Sequence, residues 1–377
     1  MSTSFGSPDI IIVGGGVIGC ATAYFLAKEH HLRSLIIERD AIASEASGGA
    51  AGELASATRH KFSEGYTTFI LDGIRLHREL AQTLQAESGI NYGFGQIPVI
   101  RPAFSDAEAV KLREEVAWHA TLGIKAEWLD ADSAQELGTW LAPDALGAAY
   151  AMEHQLEAYP FALAVAQAAE THGVEVRTGE VTGLTWDGQK ATGVRVGAET
   201  VQAGAVVIAN GPWSQYTGEW MGLDVPVIPV RGQIVHLAPP PGVSLPDHAI
   251  FHETGYVLPK ASGDLLVGTT QEEAGFDRVP TNEARDDIME RVARIAPRVV
   301  DAPIRDLTAC LRPYSTDEKP IIGAVPGGDG LYLATGHAFK GVTLALTTGR
   351  NLAQLMVEGR SDFALDEFSP SRLKARG

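Results

Sequence analysis

The sequence predicts an α/β fold in which a βαβ nucleotide-binding unit is interrupted by a strand-rich insertion. Three observations predict it. The β-branched run Ile10-Ile11-Ile12-Val13 leads into Gly14-Gly15-Gly16, and an amphipathic stretch follows from Val17 to about Glu29. Leu35-Ile36-Ile37 makes a second strand that ends in the carboxylate of Glu38, 19 residues after Gly19. The middle of the chain is rich in short strands, and a last one, Leu331-Tyr332-Leu333-Ala334, returns near the end and runs into Thr335-Gly336-His337.

In a βαβ unit of this kind each residue of the opening stretch has a task. Gly14 permits the tight turn, Gly16 lets backbone approach a pyrophosphate, and Gly19 lets helix and strand pack closely. The helix that begins at Val17 and Ile18 turns free N–H groups and positive potential toward phosphates. Glu38 is placed to accept hydrogen bonds from a ribose. The second strand–glycine–helix junction, at 331–342, offers another helix N-terminus to a second electron-rich group. Two such junctions suit a long ligand with phosphates at one end and a redox ring at the other, which favours FAD over NAD.

Between these junctions the remaining elements follow in order. The small, flexible run from Ala43 to Gly52 lets backbone pass close to something flat or charged. A helix is expected over 67–86. Residues 90–104 carry Pro98 and Pro102 and so suggest edge-type strands. Asp106–Thr121 is expected to be helical, Asp132 to cap a short helix, and 158–172 to form a helix ended by Gly173. Strands follow from Val174, with Asp187-Gly188 as a hairpin turn. Ala205 to Ala209 forms a buried strand that ends in Asn210-Gly211-Pro212-Trp213. Residues 226–237 and 249–270 are strand-rich, 283–295 helical, and a final helix runs to about Glu358.

At 377 residues the chain has room for two domains. A net charge of −17 argues against nucleic acid or an anionic membrane as partner. Two cysteines, Cys20 and Cys310, make no disulfide framework and fit a reducing cytoplasm. No secretory signal and no 18-residue apolar run is present, so no membrane span is expected. No metal-ligand pattern stands out.

Taken together, these segments resemble the D-amino acid oxidase superfamily of FAD-dependent oxidoreductases, and within it the glycine oxidase and monomeric sarcosine oxidase group. The likeness rests on Gly14–Gly19, Glu38, Ser47-Gly48-Gly49, and the run from Val206 to Ser214. It continues through Pro229-Val230-Arg231-Gly232-Gln233, Gly255-Tyr256-Val257-Leu258-Pro259, Leu311-Arg312-Pro313, Gly336-His337, Lys340-Gly341 and Phe368-Ser369-Pro370. The resemblance implies a glutathione-reductase-like FAD-binding domain from 1–88, 146–224 and 320–377. An inserted α+β substrate domain with an antiparallel sheet would comprise 89–145 and 225–319. It implies FAD contacts from Gly14, Gly16, Val17, Ile18, Gly19, Glu38, Arg39, Ser47, Gly48, Gly49, Val176, Asn210, Gly211 and Trp213. Further contacts would come from Cys310, Gly336, His337, Lys340, Gly341 and Val342.

Two sub-family patterns meet in the substrate site. Arg59-His60-Lys61-Phe62-Ser63-Glu64-Gly65 and His337-Ala338-Phe339-Lys340 are similar to sarcosine oxidase segments whose arginine and lysine bind the substrate carboxylate. Leu311-Arg312-Pro313-Tyr314 is similar to the glycine oxidase segment whose arginine takes that role, and Tyr256 matches a substrate-site tyrosine in both. A buried carboxylate needs such cations. His337 is expected to position and polarise rather than shuttle protons. Cys310 stands seven residues before Asp317-Glu318, the spacing of a flavin-linked cysteine in sarcosine oxidase; glycine oxidase has no covalent link, and both alternatives stay open. The lysine that activates oxygen in sarcosine oxidase falls at Leu266, with Lys260 or Lys61 as substitutes.

The resemblance implies oxidation of the C–N bond of a small amino acid or N-alkyl amino acid to an imine. Hydride passes to flavin, and oxygen, reduced to hydrogen peroxide, reoxidises it. The alternatives are an amino acid or opine dehydrogenase that passes electrons to a partner subunit or quinone, and a flavin-binding subunit without turnover. Homo-oligomers are compatible with all three.

Overall fold

The computed structural model describes residues 7–56, 58, 61–240 and 242–376. A six-stranded sheet carries the nucleotide-binding unit. Its central strand, Ile10–Val13, pairs in parallel with Ser34–Glu38 on one side and Ala205–Ile208 on the other. Glu175–Thr178 extends the sheet beyond Ser34–Glu38, and Leu331–Thr335 and the antiparallel Ile321–Ala324 extend it beyond Ala205–Ile208. All of Ile10 to Val13 is buried, as a strand covered on both faces must be.

Helices Val17–His30, Glu64–Ser88, Ala158–Thr171 and Gly341–Glu358 build the core on one face of this sheet. Against the other face packs a small antiparallel sheet of Val181–Asp187, Lys190–Val196 and Glu199–Gln202, with Gly188 in the expected hairpin turn. The first helix is not amphipathic. Val17 and Gly19 to Ala27 are all buried, because it is wedged among the sheet and the helices Ala158–Thr171 and Gly341–Glu358.

A second, larger sheet of nine strands holds most of the middle of the chain. Its long strands Val227–Leu237 and Ile304–Ser315 pair antiparallel, and Leu265–Gly268, Gly255–Pro259 and Ala249–His252 continue it. Gly95–Ala103, Gly147–Gln155 and the two-residue strand Glu53–Leu54 follow, with Ala126–Asp130 alongside Gly147–Gln155. The expected boundary at 145/146 thus falls just before a strand of this sheet.

Two local expectations need correction. Gly95–Ala103 is an interior strand, despite Pro98 and Pro102. Its pairing with Ala249–His252 is only two residues long, at Val99 and Ile100, so neither proline N is needed there. The short helix Ala131–Leu137 is capped by Asp130, which accepts from the Ser133 N–H, and not by Asp132, which lies inside its first turn.

Candidate active site

The two sheets meet at a cleft of about 420 Å³, within the range of cofactor and small-molecule sites. One wall comes from the strand ends and first helix of the six-stranded sheet, the other from the nine-stranded sheet. The carboxyl ends of parallel strands are where such sheets bind ligands.

At the first helix, Gly16 is the N-cap and supplies no side chain to satisfy the helix N–H groups. Val17 N–H donates to Ser47 Oγ at 3.0 Å, which draws the 43–52 loop against the helix end. Gly14 holds φ at +110°, and a Cβ there would stand 2.6 Å from the Ala209 carbonyl oxygen. A Cβ on Gly19 would strike the Gly14 carbonyl, so Gly19 is an internal packing glycine and does not face the cleft. Glu38 Oε2 accepts from Gly15 N–H at 2.7 Å and Oε1 from Asp40 N–H at 2.9 Å, which fixes the carboxylate in the cleft wall. Arg39 lies 4.5 Å over the Trp213 ring, and Trp213 stacks on Phe276.

Of the other expected cofactor contacts, Gly16, Val17, Ile18, Ser47, Gly49, Asn210, Gly211, Cys310, His337, Gly341 and Val342 line the cleft. Gly48 lies behind the loop, where a Cβ would strike the Ala43 carbonyl, and Gly336 is buried in its turn at φ +73°. Val176 does not reach the cleft: it is an interior position of its strand, paired with Ile36. Gly179, Glu180 and Val181, just beyond that strand, line the wall instead.

The nine-stranded sheet contributes Tyr256, Cys310 and Arg312. Arg312 donates from Nη1 to the Thr270 carbonyl at 3.0 Å and from Nη2 to Thr269 Oγ1 at 2.9 Å; its guanidinium lies 4.9 Å from the Phe339 ring. Tyr256 stacks on Phe251, and burial raises its phenol pKa, so it remains a neutral hydroxyl. The Cys310 thiol approaches the Gly49 carbonyl and is likewise pushed up by burial.

His337 is 1% exposed and stands at the head of the turn before the helix Gly341–Glu358. Its Nε2 pairs with Thr348 Oγ1 at 3.0 Å, and burial pulls its pKa down to about 3, so the ring is neutral. Its Nδ1 is buried without a hydrogen-bond partner among the described residues. The uncapped helix end, the Gly14 cradle and the fixed Glu38 carboxylate fit a dinucleotide.

Lys340 points elsewhere. Its Nζ donates to the Ala55 carbonyl at 2.9 Å and faces the carboxyls of Glu53 and Glu153, and it is absent from the cleft lining. Arg59 lies outside the described residues. Leu266 is 6% exposed and packed with Tyr256 and Leu258. Lys260 does not replace it in the cleft: its Nζ donates to the carbonyls of Ala51 and Leu156.

A family model described as "FAD dependent oxidoreductase" matches residues 9–355. The chain belongs to this family. Within it the likeness is to glycine oxidases. That of Geobacillus kaustophilus is 33% identical over 368 residues, with 97% of each chain covered, and that of Bacillus subtilis is 26% identical with 93% of each covered. The crystal structure of the Geobacillus kaustophilus glycine oxidase superposes with a TM-score of 0.91 at 31% identity, covering 97% of this chain and 98% of that one. An iminodiacetate oxidase from Chelativorans shares the fold, with a TM-score of 0.88 at 23% identity over 96% of this chain and 98% of that one. This chain is an FAD-dependent oxidoreductase, and the cleft is where FAD fits.

Sequence reasoning missed Glu53, Gly179–Val181, Phe251 and Phe339 in the lining. Glu53 had a signal: it is the lone charge in the small-residue run 46–58. No helix among the described residues is long and apolar enough to cross a membrane.

Proposed function

We propose that this protein oxidises the C–N bond of a small amino acid or N-alkyl amino acid to an imine, with oxygen as the final acceptor and hydrogen peroxide as product. One observation carries the reading: Arg312, Tyr256 and the neutral His337 converge on the same FAD cleft, where a carboxylate-bearing substrate meets a half-buried cation. Arg312 binds the carboxylate. Its bonds to Thr269 and Thr270 fix the guanidinium plane and leave further N–H donors for a planar anion. Tyr256 adds a neutral hydroxyl beside it. His337, paired with Thr348, lines the cleft as a neutral ring and adds no charge. FAD, when bound, supplies the hydride acceptor. Holding the carboxylate orients the Cα–H bond, and the substrate amine reacts in its neutral form.

We further assign 1–88, 146–224 and 320–377 to FAD binding and 89–145 and 225–319 to substrate binding, with Glu53–Leu54 and Gly147–Gln155 crossing into the nine-stranded sheet of the substrate side. On the family likeness alone Arg59 is a further cation for the carboxylate, and Lys340 acts from behind the wall on Glu53 and Glu153. FAD is held non-covalently: burial keeps Cys310 a thiol, whereas attack on a ring needs a thiolate. The cysteine usage fits a cytoplasmic enzyme.

The test is anaerobic flavin reduction of the holoenzyme by glycine, sarcosine, proline and D-amino acids. Bleaching by one of these supports the reading; a flavin that none of them reduces overturns it. Leu266 favours a second reading, in which a quinone or partner subunit takes the electrons. Dye reduction without peroxide release, using the same substrate, would establish that reading over oxidase action.

A further inference from the structure

Behind the substrate wall of the cleft lies a buried group of four charges that the proposed reaction leaves unused. Glu53 sits on the short strand Glu53–Leu54 and lines the cleft. Its partner strand Gly147–Gln155 brings Glu153, and Gly95–Ala103 brings Arg101. Arg101 Nη1 contacts Glu153 Oε1 at 2.9 Å, and its Nη2 stands 3.5 Å from Glu53 Oε1. Ser56 Oγ donates to Glu153 at 3.3 Å. Lys340 faces both carboxyls from the turn 338–340, with Lys61 near it and Glu115 near Arg101.

Two features point to a ligand. Glu53 and Glu153 hydrogen-bond through their carboxyls, with Glu53 Oε1 turned to Arg101, and Glu53 itself lines the cleft. Glu53 also lines the same cleft as Arg312 and Tyr256, and its charge helps Tyr256 retain the phenolic proton. A substrate whose carboxylate rests on Arg312 carries an amino group that needs an acceptor.

We propose that Glu53 receives the substrate's amino group and takes its proton, with Glu153, Arg101 and Lys340 holding it in place. This rests on the function proposed above. The ammonium N–H bond breaks, its electron pair stays on nitrogen, and the proton goes to a carboxylate oxygen of Glu53. The nitrogen lone pair then forms the C=N bond as the Cα–H pair leaves as hydride for the bound flavin. Burial, then the charge of Glu153, pushes Glu53 up to about 8, much nearer an ammonium than an ordinary carboxyl. Glu153, beside Arg101, stays ionised as the hydrogen-bond partner.

The test follows anaerobic flavin reduction of the holoenzyme across pH 6–10, in wild type, Glu53→Gln and Glu53→Asp. Wild type should quicken through an apparent pKa near 8, and Glu53→Asp should keep that limb. Glu53→Gln should react about 100-fold more slowly at pH 8, with its limb moved up to that of the free amine. Infrared difference spectra of the wild-type holoenzyme give a readout independent of turnover. A protonated carboxyl band should titrate near pH 8 and respond to glycine, but not to glycolate, which lacks the amine. An unchanged profile in Glu53→Gln, or the absence of that band, overturns this inference alone. A wild-type flavin that no amino acid reduces overturns the proposed function and this inference together.

Discussion

The guanidinium of Arg312 lies over Gly232 on the neighbouring strand, so that a Cβ at 232 would fall within it. The glycine thereby sets the height of the carboxylate-binding cation above the sheet. Arg312→Ala should weaken binding of the substrate, or of glycolate, by about 10- to 100-fold, the worth of a hydrogen bond to a charged group. Gly232→Ala should weaken it in the same direction by displacing the arginine tip, with an unchanged melting temperature. Spectral titration of the flavin reads both, and unchanged affinity in Arg312→Ala would refute the clamp.

Gly14→Ala should lower FAD content more than Gly16→Ala does. At φ +110° an alanine is strained, and its Cβ would press on the Ala209 carbonyl at 2.6 Å. At Gly16 the nearest atom is the Ser47 hydroxyl, 3.3 Å away, and a small shift relieves it. The ratio of flavin to protein absorbance after purification measures the difference.

Acid precipitation should release all the yellow colour into the supernatant, since the buried Cys310 is held as a thiol. Colour retained in the pellet, and lost in Cys310→Ala, would show a covalent bond.

Stability should fall in mild acid. Burial lowers His337 to about 3 and His77 to about 4, against an unfolded value near 6.5. Between those limits the unfolded chain binds more protons than the folded one, so unfolding free energy drops as pH falls. The slope is about 1.4 kcal/mol per pH unit for each ring, His154, His236 and His248 add contributions of the same sign, and Glu53, raised to about 8, offsets about one ring's share. Denaturant titrations at pH 6.5 and pH 5 measure it. His337→Asn should remove one ring's share; an unaltered slope would show that the ring is not held neutral.

The nucleotide half of the site was legible because its constraints are local. Gly14, Gly16 and Ser47 act through backbone and short loops, and the spacing to Glu38 follows from one βαβ unit. The wall at Gly179–Val181 was missed because ligands sit past the ends of parallel strands, whereas Val176 marks the interior of its strand. Arg101 and Glu153 carry no signal at all, since they meet only through the pairing of strands about 50 residues apart. Lys340 shows the limit of motif reading: its neighbours line the cleft while its own ammonium turns to the Ala55 carbonyl. The burial of the first helix was hidden for a similar reason, since its outer side is covered by the helix Gly341–Glu358 from the far end of the chain.

The parallel order that places Leu331–Thr335 beside Ala205–Ile208, and that strand beside Ile10–Val13, has a bearing on biosynthesis. The earliest-made segment of the flavin cradle waits for one of the last. A ribosome-bound chain halted before residue 331 lacks His337 and the second helix terminus, so its affinity for the coenzyme can mature only near the end of translation.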